Sequence, residues 1–280
     1  LYCRLYQFIL RLVSPFLPWR KPELLEGEGS LKMLPTLIKN KEINQVLIVT
    51  DKGITSLGLM DKLLEDLGAN GIHYVVYDKT VPNPTIANIE EALEMYNSCS
   101  CKAIIAFGGG SPIDCAKGIA ARVARPEKSI SQMKGILKIR KRIPPFFAVP
   151  TTAGTGSEAT LAAVISNSET KEKYAINDTA LIPHVAVLDP LLTIGLPPHI
   201  TAATGMDALT HAVEAYIGQS NTKETIQCSK KAVSLIFENL YEAYVDGNNV
   251  TARTNMQRAS YLAGVAFTRA YVGYVHAIAH

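Results

Sequence analysis

The fold of this chain is decided by the stretch Ala103-Ile104-Ile105-Ala106-Phe107-Gly108-Gly109-Gly110-Ser111-Pro112-Ile113-Asp114. Its first five residues are all apolar, which is typical of a short buried strand. The three glycines that follow allow positive φ and the close approach of a ligand to the backbone. Ser111 as the N-cap, Pro112 at the first helical position and Asp114 three residues after the cap match a capping box. The stretch therefore predicts a strand, a tight turn and a helix whose exposed N–H groups suit a pyrophosphate.

The same alternation of strand and helix extends to both sides of this unit. Short apolar runs at 45–50, 72–77, 103–107 and 146–149 read as strands, and helical patterns separate them. This order predicts a Rossmann-like α/β domain with a parallel sheet and helices on both of its faces. Right-handed crossovers place the loops that follow the strands along one edge, where such sheets bind ligands.

The pattern changes after Asp189-Pro190, where strand signals end. Helical periodicity then covers about 201–218, 223–245 and 251–270, followed by a last helix-like stretch. We therefore expect an all-helical C-terminal domain after the α/β domain. The predicted division is an amphipathic extension over 1–24, a dinucleotide-binding domain over 25–190 and a helical metal-binding domain over 191–280.

Composition narrows the class of protein. The chain has 280 residues, 48% of them hydrophobic, and a formal net charge of +3. That charge is close to neutral for this length, and we interpret the basic run at 138–142 as a solvated connector rather than a nucleic-acid surface. The 5 cysteines are odd in number and form no CxxC pair, which favours a reducing cytoplasm and excludes a zinc knuckle.

The N-terminal residues predict a short amphipathic helix. Leu5, Phe8, Ile9 and Leu12 lie at helical spacing before the prolines that end the pattern. Because no apolar run reaches about eighteen residues, we expect no membrane span. The helix would pack on the body or on a neighbouring subunit of a homodimer or larger homo-oligomer. Peripheral attachment to a membrane is the alternative.

Two further segments at the predicted sheet edge suit a dinucleotide. Asp51 ends the first strand, where a carboxylate can accept hydrogen bonds from a ribose and repel a 2′-phosphate, so it favours NAD over NADP. The loop 150–158 is rich in hydroxyls and backbone donors. A capped turn, a turn aspartate and a flexible loop are the structural alternatives. The candidate cofactor-binding residues are Asp51, Asn83, Gly108, Gly109, Gly110, Ser111, Asp114, Thr151, Thr152, Thr155, Ser157 and Lys173.

The metal candidates come from two pairs of residues spaced four apart. Asp207 and His211 share one helical face, and His276 and His280 share another. Two facing helices that present such pairs can hold a divalent metal through one carboxylate oxygen and several imidazole nitrogens. The second pair is not the metalloprotease HExxH motif, because alanine follows its first histidine.

Together these residues resemble the iron-containing (group III) alcohol dehydrogenase family. The matching segments are 108–114, 150–158, 189–214 and 258–267, together with the final His-x-x-x-His, and the likeness runs from about residue 32 to residue 280. The resemblance implies the two-domain architecture shared with dehydroquinate synthase, with NAD(P) in the cleft between the domains.

The resemblance also implies roles for individual residues. It makes Asp207, His211 and His276 the metal ligands and places His280 near the nicotinamide as a proton relay. The implied reaction transfers a hydride between a small primary alcohol or diol and NAD, with Fe²⁺ and, as a second possibility, Zn²⁺. A fourth family ligand lies in a Pro-His-Gly turn beyond His280, so we expect the chain to be truncated at its C-terminus.

Two other functions remain open on the sequence alone. One is an NAD-dependent lyase of the dehydroquinate synthase type, which shares this architecture. The other is a catalytically inert cofactor-binding subunit. Formation of NADH from a primary alcohol distinguishes the dehydrogenase from the lyase, and absence of metal would favour the inert subunit.

Overall fold

A computed structural model describes residues 16–279 of the chain, so the predicted N-terminal helix and His280 lie outside the described residues. The strands are β1 (Glu23–Glu26), β2 (Gln45–Val49), β3 (His73–Tyr77), β4 (Ala103–Gly108), β5 (Gly135–Ile136), β6 (Phe146–Pro150), β7 (Ala162–Asn167), β8 (Glu172–Asn177) and β9 (Val185–Leu188). Six of them form a parallel sheet in the order β1-β9-β6-β4-β2-β3. The predicted fold class is confirmed.

Helices cover both faces of this sheet and then continue alone. They are α1 (Met33–Asn40), α2 (Lys52–Ser56), α3 (Asp61–Ala69), α4 (Ile86–Ser98), α5 (Gly110–Ala124), α6 (Pro198–Ile217), α7 (Lys223–Val245), α8 (Val250–Ala270) and α9 (Tyr274–Ala279). The last four follow the sheet in sequence, as the periodicity predicted. No helix in residues 16–279 has the length and apolar character needed to cross a membrane. The division of the chain at residues 24 and 190 stays a prediction.

Two parts of the strand pattern were not predicted. Strand β1 pairs with β9 at one edge of the large sheet, but glutamates at both of its ends hide its strand character. Strands β5, β8 and β7 form a second, three-stranded sheet in which β7 and β8 are antiparallel. These strands are only partly buried and carry polar residues, so they lack the continuous apolar runs that reveal the central strands.

The start of α5 differs from the predicted capping box. Gly109 is the N-cap and the helix begins at Gly110, so Ser111 and Pro112 lie inside its first turn. The Ser111 hydroxyl instead accepts a hydrogen bond from the N–H of Asn83 at 3.2 Å. The cap prediction was wrong because Gly108, at φ 145, turns the chain early enough for the helix to begin at Gly110.

The parallel sheet separates two hydrophobic cores. Along β2, Leu47 and Val49 face the core that includes α4 and α5, whereas Val46 and Ile48 face the core that includes α1 and α3. Successive side chains of a strand point to opposite faces, and both faces are covered here. This double burial is why the central strands read as unbroken apolar runs.

The strand order places a crevice between the carboxyl ends of β2 and β4. From β2 the chain crosses outward to β3, whereas from β4 it crosses in the other direction to β6. Loops therefore diverge at this point, which is where open parallel sheets bind ligands. Asp51 follows β2 and Gly108 ends β4, so the topology brings these two predicted residues to the same crevice.

Helix α8 joins the helical half to the carboxyl edge of the sheet. The Gln257 amide donates hydrogen bonds to the carbonyls of Asp189 and Pro150, at 3.2 and 3.4 Å. About two turns further along, Gly264 lies against Gly156, and a Cβ at Gly264 would be 2.6 Å from the Gly156 carbonyl oxygen. Two glycines thus allow the two backbones to touch.

We predict that Gly264→Ala destabilises the protein by about 1–3 kcal/mol, because the added methyl group overlaps the Gly156 backbone. The measurement is the free energy of unfolding from urea denaturation. Gly195→Ala is the matched control, since a Cβ there would meet nothing within 4 Å. Equal stability of the two variants would show that the close backbone contact is unimportant.

Candidate functional site

Three of the predicted metal ligands converge at the helical half of the structure. Helix α6 carries Asp207 and His211 one turn apart, and α9 brings His276 to the same point. One carboxylate oxygen and one nitrogen from each imidazole lie within 4.8 Å of one another. The Nε2 atoms of His211 and His276 are 3.6 and 3.5 Å from Asp207 Oδ1. One oxygen and two imidazole nitrogens at these separations suit a divalent transition metal.

Stacking fixes the orientation of the two imidazoles. The His211 ring lies between Phe267 and His276, with a centroid separation of 4.1 Å and an interplanar angle of 15° on each side. Phe267 belongs to α8, so three helices contribute to one stack of rings. The stack holds the imidazole planes parallel at the metal site.

Glu214 supports this site from the next turn of α6. Its carboxylate lies 2.6 Å from His276 Nδ1 and accepts the N–H groups of Gly273 and Val275, at 2.9 and 2.6 Å. It therefore orients the His276 ring and satisfies backbone donors where α9 begins. The sequence analysis did not assign it to the site. The signal was its spacing, because Asp207, His211 and Glu214 lie at i, i+4 and i+7 on one helical face.

The contacts of His276 and Glu214 also shift the pKa values of these two residues. The Asp207 carboxylate raises the pKa of His276, burial opposes that rise, and Glu214 adds to it. Burial raises the pKa of Glu214, but the hydrogen bonds from His276, Gly273 and Val275 outweigh burial and lower it. An ionised Glu214 therefore accepts a hydrogen bond from the Nδ1–H group of His276. The Nε2 atom of His276 is then directed toward Asp207.

The glycine turn and Asp51 form the opposite part of the site. Asp51 caps α2 by accepting the Ile54 N–H at 3.1 Å, which agrees with the structural alternative of a turn aspartate, and its proposed contact with a ribose stays a prediction. Its other oxygen lies 3.6 Å from where a Gly108 Cβ would stand, so the carboxylate also borders the glycine turn. A Cβ at Gly110 would be 2.8 Å from a methyl group of Thr155. The turn and the Thr/Gly loop therefore approach each other closely.

A buried lysine that the sequence analysis missed holds the Thr/Gly loop. Lys117 on α5 donates to the Ser157 carbonyl and hydroxyl at 2.7 and 2.9 Å. It also donates to the Thr160 hydroxyl and the Ala162 carbonyl at 2.8 and 2.7 Å. Burial lowers its pKa to about 8, against the attraction of Asp114 and Glu158. A lysine in a helix reads as exposed, so only its position three residues after Asp114 could have marked it.

Asp114 completes this buried network rather than a capping box. Its carboxylate accepts the Ser157 hydroxyl at 2.7 Å and the Val164 N–H at 3.0 Å. Burial raises the pKa of Asp114, while Lys117, Ser157 and Val164 act against that rise. The carboxylate thus ties α5 both to the Thr/Gly loop and to strand β7. Sequence spacing could not reveal these partners, because they lie more than forty residues away.

The three metal candidates and seven of the cofactor candidates line one cavity of about 600 Å³. It runs between the sheet and the helical half, with apolar side chains such as Phe267 and Val272 on its walls. Asp51, Gly108, Gly109, Thr151 and Thr152 are not among its lining residues. The predicted residues that do line it are Asn83, Gly110, Ser111, Asp114, Thr155, Ser157, Lys173, Asp207, His211 and His276.

Comparison with protein families identifies this arrangement. Residues 22–190 match the family model described as iron-containing alcohol dehydrogenase, and residues 201–280 match the C-terminal model of the same family. The chain belongs to the iron-containing alcohol dehydrogenase family. The resemblance inferred from the sequence motifs is confirmed.

Individual relatives agree with this family. Alcohol dehydrogenase 4 of Saccharomyces cerevisiae is 46% identical over 254 residues, which are 91% of this chain and 66% of the yeast protein. A crystal structure of 1,3-propanediol oxidoreductase aligns with a TM-score of 0.91 at 41% identity, covering 94% of this chain and 69% of that one. Sulfoacetaldehyde reductase from Bifidobacterium kashiwanohense, solved with NAD⁺, aligns with a TM-score of 0.85 at 30% identity, covering 93% and 69%. This chain therefore spans about two thirds of the length of these family members.

We predict that Glu214→Gln in this alcohol dehydrogenase family member lowers the affinity for Zn²⁺ or Fe²⁺ by about 10–100-fold, because the amide is a weaker acceptor for the His276 N–H. The affinity is measured by isothermal titration calorimetry on metal-free protein. Glu242→Gln, an exposed carboxylate on α7, is the control and should leave the affinity unchanged. An unaltered affinity in the Glu214 variant would remove its positioning role.

Proposed function

We propose that this chain forms the cofactor-binding and metal-binding parts of an NAD-dependent, metal-dependent alcohol dehydrogenase. The observation that carries the proposal is one cavity that is lined both by Gly110 and Ser111, at the start of α5, and by the cluster Asp207, His211 and His276. A hydride acceptor and a metal must lie within reach of the same substrate carbon and oxygen, and this cavity meets that requirement.

The metal would be held by Asp207, His211 and His276. Their donor set fits Fe²⁺, which the family description names, and Zn²⁺ binds such sites at least as tightly. A bound metal supplies Lewis-acid polarisation of a substrate oxygen. The protein's part is to hold the imidazoles parallel through Phe267 and to fix His276 through Glu214.

The dinucleotide would lie along the glycine turn. The N–H groups that open α5 suit a pyrophosphate, and Asp51 suits the adenosine ribose. Thr151, Thr152 and Thr155 supply hydroxyls in the loop that faces this turn. NAD supplies the hydride acceptor, and the complex of the related sulfoacetaldehyde reductase with NAD⁺ supports this choice of cofactor. The remaining candidates are Asn83, Gly108, Gly109, Gly110, Ser111, Asp114, Ser157 and Lys173.

The substrate would enter a largely apolar space next to the metal cluster. Phe267 and Val272 line it. We propose small primary alcohols and diols, or the matching aldehydes, because the relatives are named for alcohol and 1,3-propanediol. His280, four residues after His276 in the sequence, keeps its proposed role as a proton relay.

The two alternatives receive less support. The relatives reported above are named as dehydrogenases, an oxidoreductase and a reductase, which disfavours the lyase of the dehydroquinate synthase type. The intact cluster of three potential ligands disfavours an inert subunit. We also propose that the protein is a homodimer or larger homo-oligomer. We further propose that it acts in the cytoplasm, which the odd number of cysteines without a CxxC pair favours.

We predict that the chain retains Fe²⁺ or Zn²⁺ and that His211→Ala reduces bound metal to background, because the cluster loses one of its two described imidazoles. Bound metal is measured by elemental analysis, and NADH formation is followed with a panel of primary alcohols and diols. His199→Ala, an exposed histidine at the start of α6, is the control. Equal metal content in both variants would contradict the assigned site, and metal-loaded protein that never forms NADH would contradict the proposed reaction.

We predict that Asp51→Asn improves the use of NADP relative to NAD by about tenfold, ~1.4 kcal/mol, because a neutral side chain no longer repels the 2′-phosphate. Asparagine still accepts the Ile54 N–H, so the cap of α2 survives. The ratio of kcat/KM values for the two cofactors is the measurement. Asp61→Asn, on the distant helix α3, should leave that ratio unchanged. A parent protein that uses both cofactors equally would contradict the role of Asp51.

A further inference from the structure

The segment 16–21 precedes the part of the chain that matches the family models, which begins at residue 22. We call Trp19, Arg20 and Lys21 the clasp residues. They lie outside any helix or strand, immediately before β1. Each of the three makes a specific contact with the body of the protein, so the segment is held in place by its own side chains.

Arg20 anchors the segment to the sheet half. Its guanidinium donates to the carbonyls of Pro183, at 2.7 Å, and of Ala180, at 3.3 Å, and also to that of Ile182. These carbonyls lie just before β9. Burial lowers the pKa of Arg20 to about 10, so the side chain is charged at neutral pH and forms strong hydrogen bonds with these neutral acceptors.

Trp19 and Lys21 anchor the same segment to the helical half. The Arg269 guanidinium lies over the Trp19 ring, 5.2 Å from its centroid, and also binds Glu224 at 2.5 Å. Lys21 forms an ion pair with that same carboxylate. Glu224 is in the first turn of α7 and Arg269 in the last turn of α8. Residues 19 and 21 thus contact the helices, whereas residue 20 contacts the sheet.

The contacts lie at the cavity proposed to hold cofactor and substrate. Leu17 and Trp19 both line it, together with Thr179 from the sheet half and Thr268 from the helical half. Thr179 neighbours the Arg20 acceptor Ala180, and Thr268 neighbours Arg269. The two anchors therefore end beside residues that line the same cavity, one from the sheet half and one from the helical half.

We propose that Trp19, Arg20 and Lys21 form a clasp that joins the two walls of the cavity, and that Trp19 is a positioning residue that limits their separation. The effect of the clasp on dinucleotide dissociation rests on the proposed function, whereas its effect on the solvent access of Trp19 does not. A clasp fails when either anchor is removed. Once one anchor has been removed, removal of the other should have little further effect. The proposal therefore requires that the two anchors be energetically coupled.

The sequence contains 1 tryptophan, so the tryptophan fluorescence of the protein comes from Trp19. Acrylamide quenching of its fluorescence is measured on ligand-free protein for Arg20→Gln, Arg269→Gln and the double variant. Each single change should raise the quenching constant by at least about twofold, and the double variant should match the larger single effect. Lys62→Gln, which removes an exposed ion pair within α3, should change nothing. Effects that simply add in the double variant would overturn the clasp.

A second measurement follows NADH dissociation by stopped-flow fluorescence. Each single variant should release NADH about three- to tenfold faster, again without further gain in the double variant, because an open cavity no longer retains the dinucleotide. If Arg20→Gln does not fold by circular dichroism, Arg20→Lys takes its place and should give a smaller change in the same direction, because lysine keeps the charge but lacks the forked donors of the guanidinium. An unchanged rate of NADH dissociation in folded variants would overturn the proposal that the clasp limits the separation of the cavity walls. Failure of the parent to bind NADH would contradict the proposed function, and the quenching coupling alone would then decide the clasp.

Discussion

The rest of the site depends on the hydrogen bonds that the buried ammonium group of Lys117 donates. It reaches four oxygen acceptors in the loop and strand that follow β6, from a helix that opens with the glycine turn. A charge in the protein interior is tolerated only with such full pairing. This pairing ties the Thr/Gly loop to α5, and the loop in turn faces the glycines. The shape of the proposed dinucleotide site therefore rests on one lysine that need not touch the ligand.

The other side of the Thr/Gly loop packs against the helical half. Gly156 touches Gly264 of α8, and α8 places Phe267 against the imidazole of His211. The metal cluster and the glycine turn are therefore connected through a short chain of packed residues. Neither half builds the cavity alone, because the sheet contributes the turn and the helices contribute the ligands. The clasp residues would join the two halves at a further point.

Much of this arrangement was predictable from local patterns. The central strands are buried on both faces and read as apolar runs, and the long helices read from their periodicity. The pair Asp207 and His211 was recognisable because four residues make about one helical turn. The errors came where local pattern and tertiary contact compete. Ser111 and Asp114 suit a capping box, but the turn at Gly108 starts the helix earlier and both side chains bond to distant segments.

The sequence by itself determined the order of the central strands and the long helices, the glycine turn and the family to which the chain belongs. These features depend on backbone preferences and on side-chain spacing within one element, which are local. Only the tertiary structure decided that Glu214 orients His276, that Lys117 is buried and that Arg20 reaches the sheet. Each of these depends on the distance between elements far apart in sequence. That distance is set by how the crossovers and helices pack, and no spacing along the chain encodes it directly.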